Sequence, residues 1–237
     1  MGHDNHLTHS DTSCRCVSMK QNPLNIPDIS TPVAIMVRHA ERYPIGNMEN
    51  ALELLLTAKG KEDAFTLGWN LSGFSPLSIY HSPVPRCKET ADSIRDGILS
   101  ANQKATVEGL LLDLGGPYIT GDWYAVVKAI EEIGHARFIR KWFNNELPAS
   151  LIMSLPEAAR IQLKILIHQL HTGSNSTINV THDWNIMIMR EYFLHLRHED
   201  IGDPDYLDGL YAFIEKDRVH LGYHGTVIVP DLEHIEA

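Results

Sequence analysis

Five consecutive apolar residues, 33–37 (Val-Ala-Ile-Met-Val), run without a break into Arg38, His39 and Arg42. A strand that is apolar at every position is covered on both faces, and such strands belong to parallel sheets flanked by helices. In open α/β sheets, ligands collect beyond the carboxyl ends of the strands. Two guanidiniums and an imidazole at that point predict an anion site containing a nucleophile, against the plainer alternative of a solvated loop.

The same arrangement recurs twice. Residues 77–81 read as a second strand, followed by Ser82-Pro83-Val84-Pro85-Arg86 and a helix to about Leu99 that carries Arg86, Thr90, Ala91 and Ile94. Residues 177–181 are β-prone and pass directly into His182-Asp183, ahead of a helix from Trp184 to about Leu196. Three junctions far apart in sequence thus end in the same chemistry. Guanidiniums pair with phosphate oxygens and offset the charge of a phosphomonoester. A neutral imidazole can attack phosphorus, and a carboxylic acid such as Asp183 can protonate the leaving oxygen.

The rest of the chain frames these junctions. Thr57 reads as the N-cap of a helix over residues 58–71, and Gly73 ends it. A further strand is expected at 106–112, then a largely helical stretch from 122 to 171, interrupted at Pro148 and Pro156. That stretch reads as a helical cap inserted at about 111–172, with Tyr118, Trp123, Tyr124, Phe138, Trp142 and Phe143 as packing or substrate-facing aromatics. Residues 210–214, 219–223 and 226–229 read as a hairpin and an edge strand. Residues 1–31 carry polar residues and prolines without apolar periodicity and are expected to be a flexible tail, leaving 32–237 as one domain. His3, His6, His9, Cys14 and Cys16 in that tail match no common zinc spacing, so no metal or other cofactor is expected.

Charge narrows the partners. Lys and Arg number 20 against 30 Asp and Glu, a net charge of −10, which argues against nucleic acid and anionic membrane. Three cysteines, two of them in the tail, make a disulfide framework an unsuitable reading. With no apolar signal core and no membrane-length apolar run, a cytoplasmic protein is expected. Nothing in the sequence fixes an oligomeric state.

The stretch Arg38-His39-Ala40-Glu41-Arg42-Tyr43-Pro44 resembles the Arg-His-Gly-x-Arg-x-Pro signature of the histidine acid phosphatase branch of the histidine phosphatase superfamily, with Ala40 in place of Gly. His182-Asp183 resembles that branch's His-Asp motif. Supporting similarities are Leu56-Thr57-Ala58-Lys59-Gly60, Ser82-Pro83 with Arg86, Thr90 and Ala91, and Tyr206-Leu207-Asp208-Gly209. The resemblance implies a three-layer α/β/α sandwich with a mostly parallel sheet and a helical cap. It implies a metal-independent phosphomonoesterase acting on a small-molecule phosphate ester through a phosphohistidine. Carried over residue by residue, His39 is the nucleophile, Asp183 the general acid, and Arg38, Arg42, Arg86 and His182 bind the phosphoryl group. Glu41 and Glu108 are the other carboxylates weighed as donors. A phosphomutase of the same superfamily and a phospholigand-binding protein that has lost turnover are the alternatives.

Overall fold

A computed structural model describes residues 23–46 and 50–232. The tract containing His3, His6, His9, Cys14 and Cys16 lies outside them. Seven strands form one sheet: β1 (Val33–Arg38), β2 (Leu77–His81), β3 (Ala105–Leu110), β4 (Ser176–Thr181), β5 (Gly209–Glu215), β6 (Arg218–Tyr223) and β7 (Thr226–Ile228). Their spatial order is β3-β2-β4-β1-β5-β6-β7. The first four are mutually parallel, whereas β5 runs antiparallel to β1, and β5, β6 and β7 follow one another antiparallel. The sheet is therefore mixed, with four of its seven strands mutually parallel. Its last three strands are joined by tight turns, a connection only antiparallel neighbours can use.

Helices α1 (Ala58–Leu71) and α2 (Pro85–Ser100) cover one face, and α5 (Leu155–Thr172) and α6 (Asp183–Phe193) cover the other. The alternation along β1 shows why its whole length is apolar. Val33, Ile35 and Val37 enter the core under α1 and α2, and Ala34 and Met36 enter the core under α5 and α6. Thr57 caps α1 as its sequence predicts, its side chain accepting from Gly60 N at 2.9 Å.

Two expectations change. Leu24 and Ile26 are buried against α1 and the sheet, and the Tyr211 hydroxyl donates to Asn25 O at 3.2 Å, so the folded body begins before residue 32. The inserted segment also divides. Its first part, with α3 (Trp123–Ile133) and α4 (His135–Phe143), forms the cap. The second part, α5, packs against β1, β5 and α6 through Ala158, Ala159, Leu163 and Leu166, and so belongs to the sheet layer. Pro156 stands in the first turn of α5, behind a capping box of Ser154 and Glu157, where it starts the helix rather than breaking it. Among the described residues no helix is long and apolar enough to cross a membrane.

Gly60 explains the Leu56-Thr57-Ala58-Lys59-Gly60 stretch. A Cβ there would stand 2.1 Å from Glu41 O, so only glycine lets the start of α1 lie against the loop that follows His39. Gly60→Ala gains helix propensity of roughly 1 kcal/mol but must push that loop away, which costs more. The expected net effect is a loss of about 2 kcal/mol in urea unfolding. An unchanged or raised midpoint would contradict it.

Candidate active site

The three junctions meet because β2, β4 and β1 are parallel neighbours, so their carboxyl ends open side by side. His39 follows β1 and is anchored by its N–H to Thr181 O at 2.8 Å. Its ring is buried, with Nδ1 2.8 Å from Ala40 O. A carbonyl only accepts, so Nδ1 carries the proton and Nε2 presents its lone pair. Ala40 adopts no positive φ, and its N–H donates to Thr90 Oγ1 at 3.0 Å, so a methyl is accommodated beside His39 without backbone strain.

Arg86 reaches this lone pair from the first turn of α2. Its Nε donates to His39 Nε2 at 2.9 Å, its Nη1 to Ala51 O at 2.9 Å, and its Nη2 approaches His182 Nδ1 at 3.3 Å. The other nitrogen of His182, Nε2, lies 2.8 Å from Ser82 Oγ. Asp183 opens α6, and its Oδ1 accepts from Trp184 N at 2.9 Å while its Oδ2 pairs with Arg38 Nη2 at 2.9 Å. Arg38 also donates to Pro204 O, lies over the Tyr206 ring at 4.5 Å, and keeps a buried Nε without a hydrogen-bond partner. Arg42 donates to Tyr43 O at 2.9 Å.

A cavity of about 480 Å³ opens above this cluster. His39, Arg42, Arg86, His182 and Asp183 line its floor, and Arg38 stands behind Asp183. Among the described lining residues Asp183 is the only carboxylate. Glu108 instead accepts from Ser78 Oγ at the far side of β2, and Glu41 faces Lys59 at 3.8 Å. A larger depression, about 700 Å³, lies beside α5, β2 and β4 and contains none of the clustered histidines or arginines.

The geometry agrees with what the sequence resembles at the level of the family. Residues 34–205 match the family model of the histidine phosphatase superfamily (branch 1). The chain belongs to this superfamily. The finer resemblance to the histidine acid phosphatase branch is not part of that match. Among solved structures, this superfamily member is similar to mycobacterial glucosyl-3-phosphoglycerate phosphatase with inorganic phosphate, at 15% identity over 83% of this chain and 98% of that one, TM-score 0.58. It is similar to Entamoeba histolytica phosphoserine phosphatase with 3-phosphoglyceric acid, at 16% identity over 86% and 100%, TM-score 0.56. Bacillus stearothermophilus YhfR is 20% identical over 87% and 100%, TM-score 0.58. At these identities the likeness establishes the fold. Among curated proteins, none matches the chain in sequence.

Within this superfamily member's site, several contributors were not legible as such. Ser82, Thr90 and Tyr206 fall in stretches quoted for their resemblance, yet only the fold shows Ser82 on His182, Thr90 on Ala40, and the Tyr206 ring 5.8 Å from His39. His135, in the cap, carries no sequence signal at all; it lines the cavity and stacks on Trp184 at 6.2 Å.

Burial makes the floor of the site acid-sensitive. The pKa of His39 is held well below the ordinary imidazole value of 6.5, first by burial and then by the Arg86 charge. His182 is lowered by the same two causes in the same order. Each ring is neutral when folded and titrates near its ordinary value when unfolded, so the unfolded chain binds more protons as pH falls below about 6.5. Their stabilisation is therefore complete above that pH and lost below it, by up to about 1.4 kcal/mol per pH unit for each ring. The urea midpoint is expected to fall between pH 7.5 and 5.0, and to fall less in His182→Gln. A midpoint that is flat or rises toward pH 5.0 would contradict this.

Proposed function

We propose that the chain is a metal-independent phosphomonoesterase that hydrolyses a small organic phosphate through a covalent phosphohistidine on His39. The observation that carries this reading is the buried His39 ring, its Nδ1 proton fixed on Ala40 O and its Nε2 lone pair aimed into a cavity floored by arginines. A tethered neutral imidazole among guanidiniums combines a nucleophile with the charge that a transferring phosphoryl group needs.

In this mechanism the phosphoryl group lies on the floor of the cavity, and its oxygens take the N–H groups of Arg86 and Arg42. Arg86 Nε leaves His39 Nε2 for a phosphoryl oxygen, which frees the lone pair for in-line attack. The unpartnered Nε of Arg38 is a further donor, and His182, oriented by Ser82, adds another contact. Arg38 turns toward the phosphoryl group as well, and Asp183 enters the step as the acid that faces the leaving oxygen.

The step then balances. The Nε2–P bond forms as the P–O bond to the alcohol breaks, and Asp183 gives its proton to the leaving oxygen. Water next attacks phosphorus, Asp183 accepts its proton, the P–N bond breaks, and inorganic phosphate leaves with His39 regenerated. Ala40 O holds the Nδ1 proton throughout, which keeps one ring nitrogen as the nucleophile in both steps. Asp183 is favoured as donor over Glu41 and Glu108 because it alone among the three faces the cavity.

The test is steady-state hydrolysis of p-nitrophenyl phosphate by the purified chain in excess EDTA. Phosphate release at an undiminished rate is expected. Activity restored only by added divalent metal would contradict metal independence, and transfer to a second alcohol without release to water would favour the mutase alternative.

A further inference from the structure

Above its cationic floor the cavity changes character. Leu52, Val84, Ile119, Trp123, Ile130 and Trp184 form the walls, and Tyr118 closes them from the cap side. Among the described lining residues there is no lysine, serine, threonine, asparagine or glutamine, and no arginine besides Arg42 and Arg86. Among these residues His135, exposed on the cap, is the one basic side chain away from the floor, and its ring stacks on Trp184 at 6.2 Å.

The walls are also fixed. Trp184 directly follows Asp183 on α6 and is packed against Trp142 at 5.2 Å, Phe138 at 5.8 Å and Tyr118 at 6.2 Å. The Trp142 indole N–H is itself tied to Met153 O at 2.8 Å. This aromatic cluster joins the cap to the helix that bears Asp183, so the apolar walls hold a set position over the phosphoryl floor. A preformed apolar wall binds an apolar group with little ordering cost.

We propose that the physiological substrate is a monoester of a predominantly apolar alcohol or phenol, in which the phosphate is the sole anionic group. The inference rests on the phosphatase reading above and goes beyond it to the leaving group. Among the described lining residues, sugar hydroxyls placed against these walls would find only the Tyr118 hydroxyl, the two indole N–H groups and His135 as side-chain partners, and a carboxylate would find only His135 once Arg42 and Arg86 hold the phosphoryl group. Each buried methylene, by contrast, is worth about fourfold in binding. At roughly 30 Å³ per water-sized group, the cavity has room for on the order of ten non-hydrogen atoms beyond the phosphoryl group.

The experiment is a homologous series of alkyl phosphates from methyl to octyl, with naphthyl phosphate, set against 3-phosphoglycerate, phosphoserine and glucose 6-phosphate. For the purified full chain, kcat/KM is expected to rise about threefold to fourfold per methylene up to about six carbons. The hexyl ester is expected to exceed each of the three polar esters by at least about a hundredfold. Trp123→Ala, at a partly buried position on the cap, is expected to flatten the slope, and Leu52→Lys, at the exposed rim, to narrow the gap to 3-phosphoglycerate by about tenfold. A series that is flat or falls with length, or a preference for any of the polar esters, overturns the inference. Binding of the matching alkylphosphonates reads the same slope without turnover. Failure to hydrolyse any ester while alkylphosphonate affinity still rises with length would overturn the phosphatase reading, and with it the substrate assignment, and leave only the apolar preference of the cavity.

Discussion

His39→Ala is expected to lower kcat for p-nitrophenyl phosphate by at least about 10⁴-fold while leaving the fold intact. The ring is the nucleophile of the proposed step, and the neighbouring His182 is not placed to replace its Nε2 lone pair. His182 Nδ1 faces Arg86, and its Nε2 is engaged by Ser82. The Cys87 thiol is also buried nearby, and burial raises its pKa to about 12, so it carries almost no thiolate at neutral pH. Removing a covalent nucleophile leaves only the arginine cradle, which binds the ester without splitting it. Circular dichroism and steady-state kinetics on the variant check both halves of the statement. Retention of more than about a tenth of wild-type kcat would remove His39 from the chemistry.

Asp183→Asn carries the second large effect, and its size should depend on the leaving group. Asparagine keeps the shape and the side-chain oxygen that accepts from Trp184 N, but it supplies no proton. Alkyl phosphates, whose alkoxides leave poorly, are expected to lose about 10²–10⁴-fold in kcat. The p-nitrophenyl ester, whose phenolate leaves unaided, is expected to lose less than about tenfold. The same variant breaks the Asp183–Arg38 ion pair, a contact any ester would feel alike. An equal loss on both esters would therefore make Asp183 a positioning residue for Arg38 rather than a proton donor.

The chemistry of the site was more legible in the sequence than its assembly. Each strand-to-helix junction could be read locally, since an apolar run ending in Arg38-His39, Ser82-Pro83 leading to Arg86, or His182-Asp183 needs no long-range information. That the three junctions converge follows from β4 lying between β2 and β1, a strand order that hydrophobic patterning does not encode. The sequence does not separate α5 from the cap, because an amphipathic helix states which face is apolar without stating what it packs on. Leu24 and Ile26 were hidden in a polar stretch too short to show a period. Ala40 was ambiguous because the sign of φ is set by the loop, and the loop proves ordinary there. Tyr206 and His135 reach the site through the paths of loop and cap, which single residues cannot announce.

The most direct test of the account is to trap the intermediate. Rapid-quench of the full chain with a phosphorus-labelled ester, followed by peptide mass spectrometry under conditions that preserve phosphoramidate bonds, should place up to one phosphoryl group per chain on His39. The label should form and decay at rates consistent with kcat and be absent in His39→Ala. Label on another residue, or full turnover with no labelled protein at any quench time, would contradict covalent catalysis through His39.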